Sequence, residues 1–289
     1  MAVRTALTSF DAGLRGSDTP DAAFQLATAI YGGALLAGFV TTATALVGLS
    51  LIVLAATSAI GFISGCLGGF MLARVDHELP ARLGRTSTRQ LALTVPAVPL
   101  GVVGGSTWVF SLEPYVDVVA FPSAVVVFAT GYALSKLAGD RYVDTVVGDS
   151  PIDTWRWLPP GSVKLDGVLV FLYVILAGGN AIVGNWLQAL LWVSLGSLWV
   201  GSCLVEGRWR FGPGGERTEL QLYDAGLVKQ RPYTRTLVHW RDIDHVRTHN
   251  GGLVFDCGLR SVRFTRNELE EPDAVLEAVD QQLAAQNAW

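Results

Sequence analysis

Few residues in this chain have the type and spacing to do chemistry, and they are scattered. Ser64 stands among glycines in an apolar stretch, a setting for an intramembrane serine nucleophile. Such a nucleophile needs a His to take its proton, and no apolar stretch supplies one. His77–Glu78 opens like a zinc-protease HExxH helix but lacks the second His. His245 and His249 are four apart, a metal-ligand spacing on a helix, yet they flank a segment with strand and turn signals. No Cys or carboxylate completes a ligand set around them. Cys66, Cys203 and Cys257 form no CxxC, and two of them lie in apolar stretches, as small buried hydrophobes do. The expectation is therefore a protein that is not an enzyme and has neither cofactor nor metal.

The elements around these residues explain the scarcity. The chain has 289 residues, of which 51% are hydrophobic and 16% charged, and its mean hydropathy is +0.40. Soluble proteins carry roughly 25% charged residues. The charges are also segregated: no Asp, Glu, Lys or Arg occurs at 22–73, 90–112, 118–135 or 167–205. The rest of the chain has an ordinary soluble charge density. This pattern excludes a single soluble globule, a disordered chain and a disulfide scaffold.

A helix needs about 20 apolar residues to cross a bilayer. The two long windows must each fold back, the first around Gly48 and Ser50, the second around Gly178, Gly179, Asn180, Gly184 and Asn185. Six spans are predicted, near 22–46, 49–73, 91–110, 118–137, 165–182 and 186–205. Lys and Arg favour cytoplasmic loops. Thirteen of them lie in the N-terminal tail, the loops after spans two and four, and the exit from span six; the alternate turns hold none. The expected localisation is the cell membrane, multi-pass, with both termini cytoplasmic. Residues 1–21 form a charged tail without the apolar core of a signal peptide.

Within the spans, Gly61, Gly65 and Gly69 form two overlapping GxxxG motifs, and Gly101 and Gly105 repeat the spacing. Such motifs let helix backbones approach closely. Packing within the bundle is the plain reading, and a homo-oligomer interface is the alternative. Pro96, Pro99 and Pro122 are expected to kink spans three and four. The span cores contain no ionisable side chain, which argues against a proton pump or voltage sensor. The loop holding Trp155, Trp157, Pro159 and Pro160 is expected to rest on the cytoplasmic membrane face, its tryptophans at headgroup level.

Residues 206–289 change character. Apolar and polar residues alternate in short runs at 209–212, 219–223, 227–231, 235–239, 243–249, 253–256 and 260–265, separated by turn residues such as Asp224-Ala225-Gly226 and Asn250-Gly251-Gly252. Pro272 then opens an amphipathic helix with Val275, Leu276, Val279 and Leu283 on one face. The fold class expected is a membrane all-α six-helix bundle at 22–205 with a small cytoplasmic α+β domain at 206–289. That domain would be a bent sheet of about seven strands closed by a helix.

The segments LQLYDAGLVKQ (220–230), VHWRDIDHV (238–246) and LVFD (253–256), with the closing helix, resemble the prokaryotic pleckstrin-homology-like (PH-like) domains of membrane proteins. Trp240, Asp242 and Ile243 meet the family's aromatic-gap-Asp-Ile pattern. The resemblance implies a binding or scaffold module rather than an enzyme. Residues 207–289 have 11 Lys and Arg against 12 Asp and Glu, so no basic patch marks a nucleic-acid partner. Arg231, Arg235, Arg241, Arg260, Arg263 and Arg266 are the candidate contacts for anionic headgroups or a protein partner. The expected function is a multi-pass membrane protein whose cytoplasmic domain mediates protein or lipid contacts. The alternative is a transporter or channel for a neutral or amphipathic substrate, with Thr94, Ser106, Asn180 and Asn185 lining its path, and the second alternative is a membrane enzyme, for which His77, Glu78 and the 138–164 loop are the only supply of reactive groups.

Overall fold

The charge-free windows become helices and the alternating C-terminal runs become strands. The computed structural model describes residues 21–106, 110, 115–147, 150–158, 163–205, 209, 218–243, 245–249, 252–257, 260–266 and 268–287. Helix α1 (Ala22–Leu46) starts where the Asp21 carboxylate accepts the Ala23 amide, satisfying one of the unpaired donors of a helix start. It ends at a turn in which Gly48 takes φ +74°, and α2 (Leu51–Val75) runs back along it.

The third expected span is not one helix. Short helices α3 (Leu79–Gly84) and α4 (Ser87–Ala92) are followed by a turn at 93–96 and by α5 (Ala97–Ser106). Pro96 explains the break: it brings no amide proton, and its ring disfavours helical geometry at the preceding residue. The Ala97 amide turns to Thr94, and the Leu93 carbonyl is taken by the Tyr31 hydroxyl at 2.9 Å. With 10 residues, α5 covers about 15 Å, half of a hydrocarbon core.

Helix α6 (Val116–Val146) has 31 residues, contains Pro122 two turns in, and runs well past the expected end at residue 137. At about 1.5 Å per residue it is about 46 Å long. Helices α7 (Val163–Ile182) and α8 (Trp186–Val205) form a hairpin, closed by Gly184 at φ +82° and by the Asn185 amide on the Asn180 carbonyl at 2.8 Å. Among the described residues four helices are long and apolar enough to cross a membrane: Ala22–Leu46, Leu51–Val75, Val116–Val146 and Leu165–Ile182, with Gln188–Leu204 a shorter apolar one. Their outward faces carry large exposed side chains such as Ile52, Ile63, Phe171 and Val174, consistent with insertion in a bilayer.

The described residues of the small domain form seven strands in two antiparallel sheets. The first sheet pairs β1 (Asp153–Arg156), β2 (Glu219–Tyr223), β3 (Gly226–Gln230) and β4 (Arg235–His239) in that order. A single 3-10 turn, Trp240–Asp242, leads to the second sheet of β5 (His245–His249), β6 (Gly252–Cys257) and β7 (Arg260–Phe264). Helix α9 (Pro272–Asn287) closes the domain with Val275 and Val279 in its core. The expected strand at 209–212 lies largely outside the described residues.

The strand at the edge comes from elsewhere. β1 belongs to the 150–158 segment, and Asp153 to Arg156 pair with Leu222 to Glu219. Trp155 and Trp157 are not at headgroup level: they lie 7% and 2% exposed in the domain core beside Leu220, Trp240, Phe255 and Phe264. Strand alternation explains it, because β1 turns one face onto an apolar core that β2 to β4 leave uncovered. The α7–α8 hairpin is therefore inserted between the first and second strands of one sheet.

Candidate functional site

The described residues place their richest polar cluster where α6 leaves the apolar stretch and meets β4. The charge-free run 118–135 ends at Lys136, and the helix continues through Asp140, Arg141, Tyr142 and Asp144. Arg141 Nε donates to Asp21 Oδ2 at 2.5 Å and its Nη1 to Asp144 at 3.3 Å, tying the start of α1 to the end of α6. From the other side, the Arg235 amide donates to Asp140 Oδ1 at 2.5 Å, and Arg235 Nη1 donates to Asp144 Oδ1 at 2.7 Å. Tyr142 Oη and His239 Nε2 share a hydrogen bond of 2.7 Å, their rings edge to face at 5.8 Å. Beneath these polar ties, Val143 packs on Tyr223 and Val228. The seam thus combines an apolar contact with charge-assisted bonds, which are stronger than neutral ones.

A polar cavity of about 310 Å³ opens along this seam. The α3–α4 turn contributes Arg85, α4 contributes Gln90, α6 contributes Lys136 and Tyr142, and the β4 side contributes Arg235, His239 and Asp242. The Gln90 amide is fixed on the Gly84 carbonyl at 2.9 Å. Gly84 itself lies against the Ala138 carbonyl, closer than any side chain would allow. Burial pushes the His239 imidazole below its ordinary range; Arg241 and Arg85 push the same way, against Asp242 and a backbone hydrogen bond with Ala225. His239 is therefore a neutral partner for Tyr142 at physiological pH.

The six candidate arginines do not share one surface. Arg235 is engaged by α6, and Arg231 lies over the Trp157 ring at 5.3 Å, so both face inward rather than toward headgroups. Arg241 is exposed and 3.7 Å from Asp242. Arg263 and Arg266 are exposed, Arg263 on the outer face of the second sheet opposite Val254. The Arg260 side chain lies outside the described residues. Trp240 and Ile243 are core residues, with Trp240 Nε1 donating to the Tyr223 carbonyl at 3.0 Å, while Asp242 ends the 3-10 turn that links the sheets.

Gly61, Gly65 and Gly69 face α1. A methyl group on Gly65 would fall on the Gly32 carbonyl, and one on Gly69 on the Thr28 carbonyl. In α5 the spacing misleads: Gly105 has open space and Gly101 meets only Ala124 at 3.8 Å, whereas Gly104 lies 2.9 Å from the Phe121 amide nitrogen, measured from the position of an added Cβ. Ser64 is exposed on α2, and His77 and Glu78 are exposed in a turn. Among the described residues no three of His, Cys, Asp and Glu stand together as metal ligands. Thr94, Ser106 and Asn180 bond carbonyls of their own segments rather than lining a shared path.

Sequence reasoning missed Arg85, Asp140, Tyr142, Asp144 and His239. The one signal for them was Asp140 and Asp144 at helical spacing just beyond an apolar span, two carboxylates on one helical face. No family model, no characterised protein and no solved structure matches the chain.

Proposed function

We propose that this chain is a six-span membrane protein with a PH-like cytoplasmic domain, and that it works as a docking module for a protein or lipid partner at the inner membrane face. The observation that carries the reading is the seam. The domain is held on the end of a long apolar helix by Arg235, Tyr142 and His239, so whatever binds it is held at a fixed height above the bilayer. A four-strand sheet, a three-strand sheet and a closing helix support the PH-like assignment, and Trp240 and Ile243 serve its core as the family pattern implies. The 13-to-zero cation alternation supports six spans and cytoplasmic termini, with the 91–110 region crossing as the broken unit of α4 and α5. With inward-facing Arg231 and Arg235 set aside, Arg241, Arg263 and Arg266 are the candidates with exposed side chains for a partner.

The test is affinity purification of the full chain from its native membrane, with protein and lipid mass spectrometry. Arg263→Glu with Arg266→Glu is expected to remove the specific partner while leaving the chain inserted. An unchanged partner set in that variant would refute the docking role. Deleting the C-terminal segment is a poorer test, because it strips the cover from Trp155 and Trp157.

A further inference from the structure

We propose that a slot between α5, α6 and α8 binds an amphipathic amine, its ammonium on Asp117 and its apolar body along Phe121 and Leu191. The slot has a volume of about 240 Å³. It lies at the start of α6, about 35 Å along that helix from the seam at Asp140, and does not rest on the docking reading. Gly104 seats α5 directly on α6, since an added Cβ there would lie 2.9 Å from the Phe121 amide nitrogen, and this closes one wall. Phe121 and Val125 of α6 and Leu191 of α8 make the walls apolar. The polar groups gather near the helix starts, Asp117 on α6 and Gln188 on α8. Ser194 also lines the slot, but its hydroxyl donates to the Leu190 carbonyl of its own helix at 2.8 Å.

Charge selects the ligand. Asp117 Oδ1 accepts the Val118 amide at 2.7 Å, and the carboxylate makes no ion pair among the described residues. No Lys, Arg or His occurs at 90–135 or 165–207. The helices around the slot therefore supply no cation short of Lys136, about 28 Å further along α6. A carboxylate beside apolar walls, with no counter-ion of its own, is matched by a cation that carries apolar surface with it. A metal ion is a poorer match: calcium takes about six to eight oxygens, and here only Asp117 and Gln188 offer oxygens not already bonded within a helix side chain's own turn. Access points the same way. Val126, Leu190 and Ser194 on the rim are exposed, so in an inserted chain the slot opens sideways to hydrocarbon, where amphipathic amines concentrate. A phosphatidylethanolamine headgroup fits less well, because it would bring its phosphate beside Asp117. The volume, below the roughly 300–1,000 Å³ of drug-sized sites, suits a body of one fused ring.

The experiment titrates the full chain in neutral detergent with 2-(1-naphthyl)ethylamine and, separately, with the alcohol of the same skeleton, which partitions but carries no charge. It reads the unfolding midpoint and hydrogen exchange at 115–126 and 186–194. The amine is expected to raise the midpoint and slow exchange at both segments at a concentration about tenfold lower than the alcohol, the usual gain from a hydrogen bond to a charged group. Asp117→Asn should remove that tenfold preference and leave the response to the alcohol unchanged. Asp117→Glu should keep the preference. Ser194→Phe, placed on the exposed rim, should weaken the response to both compounds by filling the slot. An equal response to amine and alcohol in the unmodified chain overturns the site, as does a full amine preference in Asp117→Asn. A second arm uses nanodiscs of phosphatidylcholine with or without phosphatidylethanolamine and no added amine. Slower exchange at 115–126 with phosphatidylethanolamine would assign the slot to a headgroup and overturn the amine. Midpoints without ligand show whether each variant is folded, and Ser194→Phe with Asp117→Glu decides the matter if Asp117→Asn is not. Loss of partners in the Arg263/Arg266 variant leaves the amine response untouched, so the two proposals fail separately.

Discussion

Arg235 of β4 reaches Asp144 of α6 at 2.7 Å, across 91 positions of sequence. The same arginine's amide caps Asp140 one helical turn earlier, so a single residue ties the small domain to the helical part twice. Removing either partner should loosen the seam. The side-chain pair is partly exposed, and a double-mutant cycle of Arg235→Ala and Asp144→Ala should return a coupling of about 1 kcal/mol or less. Hydrogen exchange should rise in both 135–146 and 235–239. Exchange rising on one side only would mean the contact does not couple them.

His239 gives the seam an acid sensitivity. Its folded titration lies below the ordinary range, so the unfolded chain takes up a proton first as pH falls. The contribution is intact above the ordinary His range and is lost as pH drops through it toward the folded value. Arg85 and Arg241 then repel the new charge, and Asp242 offsets only part of it. Burial raises the Asp140 carboxyl to about 6, which adds stability as pH falls and opposes His239, so the His239 share is read as a difference: relative to His239→Gln, the unmodified chain should lose stability from neutral to mildly acidic pH.

The α1–α2 contact should answer sharply to added volume. Gly65→Ala sets a methyl group on the Gly32 carbonyl and should cost about 1–3 kcal/mol, as overpacking does. Gly68→Ala, three residues on and facing open space, should stay within about 0.5 kcal/mol. Unfolding of the purified chain in detergent separates the two.

Trp157 tests where the loop before α7 belongs. It is 2% exposed, edge to face with Phe264 at 5.8 Å. Trp157→Ala should destabilise the small domain by about 3–5 kcal/mol. Proteolysis within 218–287 should become fast while the helical part stays protected. A tryptophan resting at headgroups would instead leave that segment resistant.

Lys229 should produce an alkaline gain in stability. It lies on the core face opposite Leu220, its ammonium 4.2 Å from the Phe264 ring centre. Burial, assisted by Arg231, lowers its pKa from 10.5 to about 8, outweighing Glu268 and Cys257. The unfolded chain therefore holds that proton more tightly, and stability rises as pH climbs from about 8 to 10.5, by about 3 kcal/mol at most. Lys229→Met should remove the rise, read as the difference between the two pH profiles of tryptophan fluorescence unfolding.

Much of this architecture was legible because its signals are local. Charge-free windows delimit α1, α2, α7 and α8 within a few residues, and the turn-type residues Asp224-Ala225-Gly226 and Asn250-Gly251-Gly252 in the sequence mark the boundaries of β2, β3, β5 and β6. What stayed hidden is non-local. Pro96 was visible, but a kink and a break differ only in whether another group takes the freed carbonyl, and that group is Tyr31, 62 residues away. β1 is four residues long and needs a partner that follows two helices later, so its alternation reads as loop. The arginines were legible as cations, but which of them face inward depends on Asp144 and Trp157, which periodicity within the domain does not reach.

The position of the α7–α8 hairpin sets an order of events during synthesis. β1 leaves the ribosome first, yet its partner β2 follows only after both hairpin helices have been made. Until then β1 presents an unpaired edge and two large indoles to solvent, and the first sheet cannot close. If the hairpin fails to enter the bilayer, β2 is not delivered beside β1, and the small domain is left without its edge strand. A closed first sheet therefore marks a chain in which both hairpin helices have already been made.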